Sequence, residues 1–103
     1  MSVRSELTER IAALPGIVAK KSRFSENLAF YSGGREIAHF HDGGELDVRL
    51  TRKVIRELAS GDPDIPITVR KSSDWSAIRF SRRSDIALVL SLVERAVSAN
   101  CAS

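Results

Sequence analysis

Of the 103 residues of this chain, one is a cysteine and two are histidines. A lone thiol, Cys101, cannot form an intrachain disulfide, so nothing marks an oxidising compartment. No apolar run approaches membrane-spanning length, and the opening MSVRSELTER is charged and lacks the apolar core of a secretory signal. A cytoplasmic location without a membrane partner is the expectation. There is no glycine-rich phosphate loop after a predicted strand and no GxGxxG, which leaves no flavin or adenylate site to expect. Repeats, linkers and low-complexity segments are also missing, so the chain is read as a single domain, 1–103.

What is present suits an ordinary globular protein. With 43% hydrophobic and 28% charged residues the chain is not disordered, and its length suffices to bury one core without metal or disulfide staples. The net charge of +3 and a pI near 9.5 permit contact with anions. The basic residues occur as scattered groups, Lys20-Lys21-Ser22-Arg23, Arg52-Lys53, Arg70-Lys71 and Arg82-Arg83, among thirteen carboxylates. Such a pattern is solvated surface first and gives only weak support to a nucleic-acid partner.

Taken in order, Ser2 or Ser5 caps a helix to Leu14, with Leu7, Ile11 and Leu14 on one face and Pro15-Gly16 as its stop. Gly16–Arg23 predicts an edge strand protected by its lysines, and Asn27–Ser32 a second strand, ended by Gly33-Gly34. Thr51 is the expected N-cap of a helix through Ser60 with Val54, Ile55 and Leu58 as its stripe. After Asp62-Pro63-Asp64-Ile65-Pro66, two further strands are predicted, Ile67–Lys71 and Trp75–Phe80, turning at Ser72-Ser73-Asp74. A last helix begins near Ser84-Asp85 and buries Ile86, Val89, Leu90, Val93 and Val97.

Between the second strand and Thr51 lies the stretch Arg35–Leu50, a β-hairpin that carries both histidines. A two-residue turn at Gly43-Gly44 would set Asp42 opposite Glu45 and mix polar with apolar side chains on both faces. A three-residue loop, Asp42-Gly43-Gly44, instead pairs Ala38 with Val48 and Phe40 with Leu46 on one face. The other face then pairs His39 with Asp47, His41 with Glu45, and Ile37 with Arg49. The second register is preferred because it sorts the side chains by polarity.

These elements predict an α+β fold, an antiparallel β-sheet of five to six strands with helices mainly on one face, in the order α-β-β-β-β-α-β-β-α. The uncovered face would carry Tyr31, His39, His41, Asp47, Arg49, Thr68, Arg70, Trp75 and Arg79. A sheet face bearing a tryptophan and several arginines is a candidate interaction surface.

Gly34-Arg35-Glu36-Ile37-Ala38-His39-Phe40-His41, then Leu46-Asp47-Val48-Arg49-Leu50, then Trp75-Ser76-Ala77-Ile78-Arg79-Phe80 resemble a small bacterial domain family labelled luciferase-family or luciferase domain-containing. The resemblance runs from Leu14 to Val97. Members of that family often carry further histidines between the helices, where this chain has Asp62-Pro63-Asp64-Ile65-Pro66, and this difference counts against carrying over a metal or catalytic role. The element order is also similar to the MmcQ/YjbR-like and secretion-chaperone-like folds, a likeness of architecture that does not fix function. A light-emitting enzyme would need to enclose its substrate, and so short a chain offers little room.

His39 and His41, two apart on a strand, point to the same side and have the chemistry to ligate a metal with Asp47 as third ligand. The plainer reading makes them sheet histidines bonded across the hairpin to Asp47 and Glu45. Their protonation near neutrality would then strengthen those pairs. His39 with Asp47 also suits general acid–base work, but no nucleophile can be placed beside them, and no catalytic residue is assigned. Trp75 is first an edge-of-core residue and second a stacking platform or dimer anchor beside Arg70 and Arg79. Arg35 and Arg49 are expected to pair with Glu36, Glu45 or neighbouring carboxylates, and Cys101 to be an incidental thiol on a fraying tail.

The sequence therefore supports a non-enzymatic binding module with no cofactor, using His39, His41, Asp47, Arg49, Arg70, Trp75 and Arg79. Its partner would be a second copy, another protein or a small anionic ligand. A histidine-based metal or hydrolytic site and a double-wing-like nucleic-acid surface are the alternatives.

Overall fold

The computed structural model describes residues 2–21, 27–41, 43–70 and 72–101. Five antiparallel strands form one sheet in chain order: β1 (Ile17–Lys21), β2 (Leu28–Ser32), β3 (Arg35–His41), β4 (Glu45–Val48) and β5 (Ser76–Arg79). Helix α1 (Val3–Ala12) precedes them, α2 (Arg52–Gly61) separates β4 from β5, and α3 (Ile86–Cys101) follows a single 3-10 turn at Arg83–Asp85. No helix among the described residues is long and apolar enough to cross a membrane.

The core lies between one face of the sheet and the helices. Phe30, Ala38, Phe40, Leu46, Val48 and Ile78 from the strands meet Leu7 and Ile11 of α1, Val54 and Ile55 of α2, and Val89, Leu92 and Val93 of α3. Phe40 packs edge-on to both Phe30 and Phe80, with centroids 5.9 and 6.0 Å apart. Each such large side chain taken from water contributes about 1.5–3 kcal/mol, so this layer fixes which sheet face turns inward.

The preferred hairpin register is the one found: Ala38 stands opposite Val48, His39 opposite Asp47, Phe40 opposite Leu46 and His41 opposite Glu45. Gly43 takes the left-handed conformation this three-residue loop requires, at φ +80°. Asp42 lies outside the described residues, as do Ser22 and Arg23 of the predicted first strand and Lys71 of the predicted fifth.

Several expectations are corrected. Ile37, expected on the histidine face, is fully buried in the core. Phe30 pairs with Ala38 but Tyr31 with Glu36, so Ile37 is an extra residue in β3, a β-bulge that breaks the alternation. The segment from Ile67 is not a sixth full strand. It makes one isolated bridge, Ile67 to Ile78, and Ser76 holds it by exchanging hydrogen bonds with the Thr68 backbone, 3.0 Å from its N–H and 2.7 Å to its carbonyl.

In α3 the buried residues are Ile86, Val89, Leu92, Val93 and Ala96, so Leu92 and Ala96 take the places expected of Leu90 and Val97, which are only partly buried. Cys101 ends α3 as an exposed helical residue, not a frayed one. Ser2 caps α1 as expected, accepting from the Ser5 N–H at 3.0 Å. Thr51 occupies the N-cap position of α2 without a side-chain cap bond, at φ 80° and ψ 151°. The Asp74 carboxylate, from the turn before β5, accepts the Arg52 N–H at 3.1 Å in its place.

A histidine and carboxylate cluster on the sheet

The face turned away from the core carries a compact polar cluster centred on Asp47. Asp47 projects from β4 between the two histidines of β3 and is only 6% exposed. His41 Nε2 bonds to Asp47 Oδ2, and His39 Nε2 lies 3.3 Å from the same oxygen. His41 thus pairs with Asp47, not with Glu45 as expected, because a strand places next-nearest residues on one side and Asp47 stands between both imidazoles. The ligand-bearing atoms of His39, His41 and Asp47 all lie within 4.8 Å of one another.

The bulge adds a member that alternation along β3 conceals. With Ile37 turned inward, Glu36 shares the histidine face, 7% exposed, and its Oε2 lies 3.4 Å from His39 Nδ1. Tyr31, its partner across β2 and β3, donates its hydroxyl to Glu36 Oε1 at 3.2 Å. The sequence signal was the apolar doublet Ile37-Ala38 inside an otherwise alternating strand, where a bulge restores both to the core.

Two carboxylates withdrawn from water beside two imidazoles set the local electrostatics. The hydrogen bond to Asp47 holds His39 above its usual value; burial opposes this, and the charges of Asp47 and Glu36 reinforce it. Burial alone would raise Asp47, but hydrogen bonds from His39 and His41, with their charges, leave it below the usual carboxylate value. The site therefore favours positive charge between its carboxylates.

Trp75, just ahead of β5, lays its indole on His39 at a 45° tilt, with ring centroids 5.1 Å apart. The two imidazoles themselves meet at 5.3 Å. The other expected residues are dispersed. Arg70 Nη2 reaches to 4.0 Å from Asp47 Oδ1 at the border of the cluster. Arg49 leaves it for Asp74, at 3.7 Å, and Arg79 stands opposite Glu45 farther along the sheet, beside a different hollow with Gly44, Phe80 and Ser81.

The profile of the luciferase-domain family matches residues 34–96. The chain belongs to that family. No curated protein and no solved structure gives a match. The matched span of the luciferase domain runs from the turn before β3 into the last third of α3, and it contains His39, His41, Asp47, Glu36, Arg70 and Trp75. Tyr31, which supports Glu36 from β2, lies just outside it.

Proposed function

We propose that this luciferase domain is a small binding module whose histidine face takes a divalent transition-metal ion of the zinc class. The observation that carries this reading is the convergence of one ring nitrogen each from His39 and His41 with an Asp47 carboxylate oxygen, all within 4.8 Å of one another. Two imidazoles with one carboxylate suit borderline divalent ions, and three protein ligands leave a position for water or a small anionic ligand.

Glu36 strengthens the case. A ligating histidine generally donates its second ring N–H to a carboxylate, which fixes the tautomer and raises the basicity of the ligating nitrogen. Glu36 stands at that place, 3.4 Å from His39 Nδ1, and is itself anchored by Tyr31. Trp75 covers His39 and shelters this side of the site from water, which supports a lining role over that of an external dimer anchor. The competing arrangement is a cluster held together by protons alone.

Native mass spectrometry and zinc titration of the full chain separate the two. One tightly held zinc, lost in His41→Ala with the fold intact, is the expected result. His41 suits the test because its side chain is 46% exposed and contributes little to packing. A chain that binds zinc no more tightly than His41→Ala removes the metal from the reading and leaves the proton-held cluster.

A further inference from the structure

We infer that the luciferase domain has a second site, for the phosphate group of a small molecule, in the cavity between α2 and the loop leading to β5. The cavity measures about 350 Å³ and is lined by Arg52, Arg56, Arg70 and Ser72, with Ile55 and Val69 as its apolar wall. That volume matches a small-molecule pocket. Three arginines line one hollow, and planar guanidinium forks fit phosphate oxygens two at a time.

The available carboxylates engage these arginines only in part. Asp74 divides itself between Arg49 at 3.7 Å and Arg52 at 3.6 Å. Asp47, 4.0 Å from Arg70, already receives both histidines. Arg56 makes no ion pair with a carboxylate among the described residues. Val69, 58% exposed, is one of two large apolar side chains left so open in the described structure, and it gives the organic part of such a ligand a surface to cover. A single hollow of this size favours a compact phosphate over a polynucleotide, which needs a track of charges along its backbone.

This site does not rest on the metal reading, since none of its lining residues belongs to the proposed ligand set. Arg70 nevertheless borders both. A phosphate that draws Arg70 into the cavity takes it from Asp47, so occupancy of one site is felt at the other.

The test is amide NMR of the full chain in the presence of chelator, titrated with inorganic pyrophosphate against sodium chloride of equal ionic strength. Saturable shifts at Arg56, Arg70, Ser72 and Ser73, with affinity about tenfold weaker in Arg56→Gln, are expected. Arg56 is exposed, so the variant keeps its packing. Shifts that do not saturate, that spread evenly over every basic pair, or that are unchanged in Arg56→Gln overturn the site. Tighter binding of a single-stranded oligonucleotide than of pyrophosphate, also weakened by Arg56→Gln, overturns it in favour of a nucleic-acid surface. Because chelator is present throughout, failure here leaves the metal reading untouched.

Discussion

The Trp75 indole lies on the His39 imidazole with ring centroids 5.1 Å apart. Trp75 is the only tryptophan in the chain, so its fluorescence is a direct readout of the cluster.

An imidazolium quenches indole emission more strongly than a neutral imidazole. Emission of the metal-free protein is therefore expected to rise with pH through a midpoint above the 6.5 of a free histidine, in line with the upward shift of His39. His39→Gln should abolish the step. A midpoint at or below 6.5 would mean that the Asp47 bond does not outweigh burial.

The same shifts fix the pH dependence of stability. His39 is raised, so its contribution is full below pH 6.5 and is lost as pH climbs through the raised value. Asp47 is lowered, so its contribution is present above pH 3.8 and is lost as pH falls through the lowered value. Urea midpoints of the metal-free protein should peak between those two limits. Asp47→Asn should flatten the profile, cost about 1–3 kcal/mol at its maximum and remove zinc binding.

The register of the hairpin was legible because Ala38, Phe40, Leu46 and Val48 sort onto one face only when the loop has three residues. The family resemblance was legible in the same stretch and in the tryptophan strand. Glu36 was hidden because alternation assigns it to the face opposite His39; a bulge is set by the fit of Ile37 into the core, which no local pattern states. The cap of α2 was hidden for another reason: Asp74 comes from 22 residues down the chain. The pairing of His41 with Asp47 depends on rotamers, which register alone leaves open between Asp47 and Glu45.

Thr51 sits at φ 80° and ψ 151°, a region that costs a residue with a Cβ about 1–3 kcal/mol. Since its side chain makes no cap bond, Thr51→Gly is expected to stabilise the protein by about 1 kcal/mol, seen as a higher urea midpoint at unchanged slope. Asp74→Ala should do the opposite by about 1–2 kcal/mol, because the Arg52 N–H then loses its cap. Equal midpoints for Thr51→Gly and the parent would show that the strain is relieved elsewhere.

Two glycines make an internal comparison. A Cβ on Gly44 would stand 2.5 Å from the Phe80 carbonyl oxygen, a backbone atom that cannot swing aside as the end of a flexible side chain could. Gly44→Ala is expected to cost about 1–3 kcal/mol and to loosen the end of β4 against β5, read by amide exchange at Phe80. Gly61, at the end of α2 with nothing within 4 Å, should accept alanine with a gain of several tenths to about 1 kcal/mol. Similar melting temperatures for the two variants would contradict both.

The two histidine side chains are unequally placed, 15% exposed for His39 and 46% for His41. That inequality gives the site a front and a back. Of the two imidazoles, that of His41 is the more open to water, so a solute arriving at the cluster meets it more readily than that of His39.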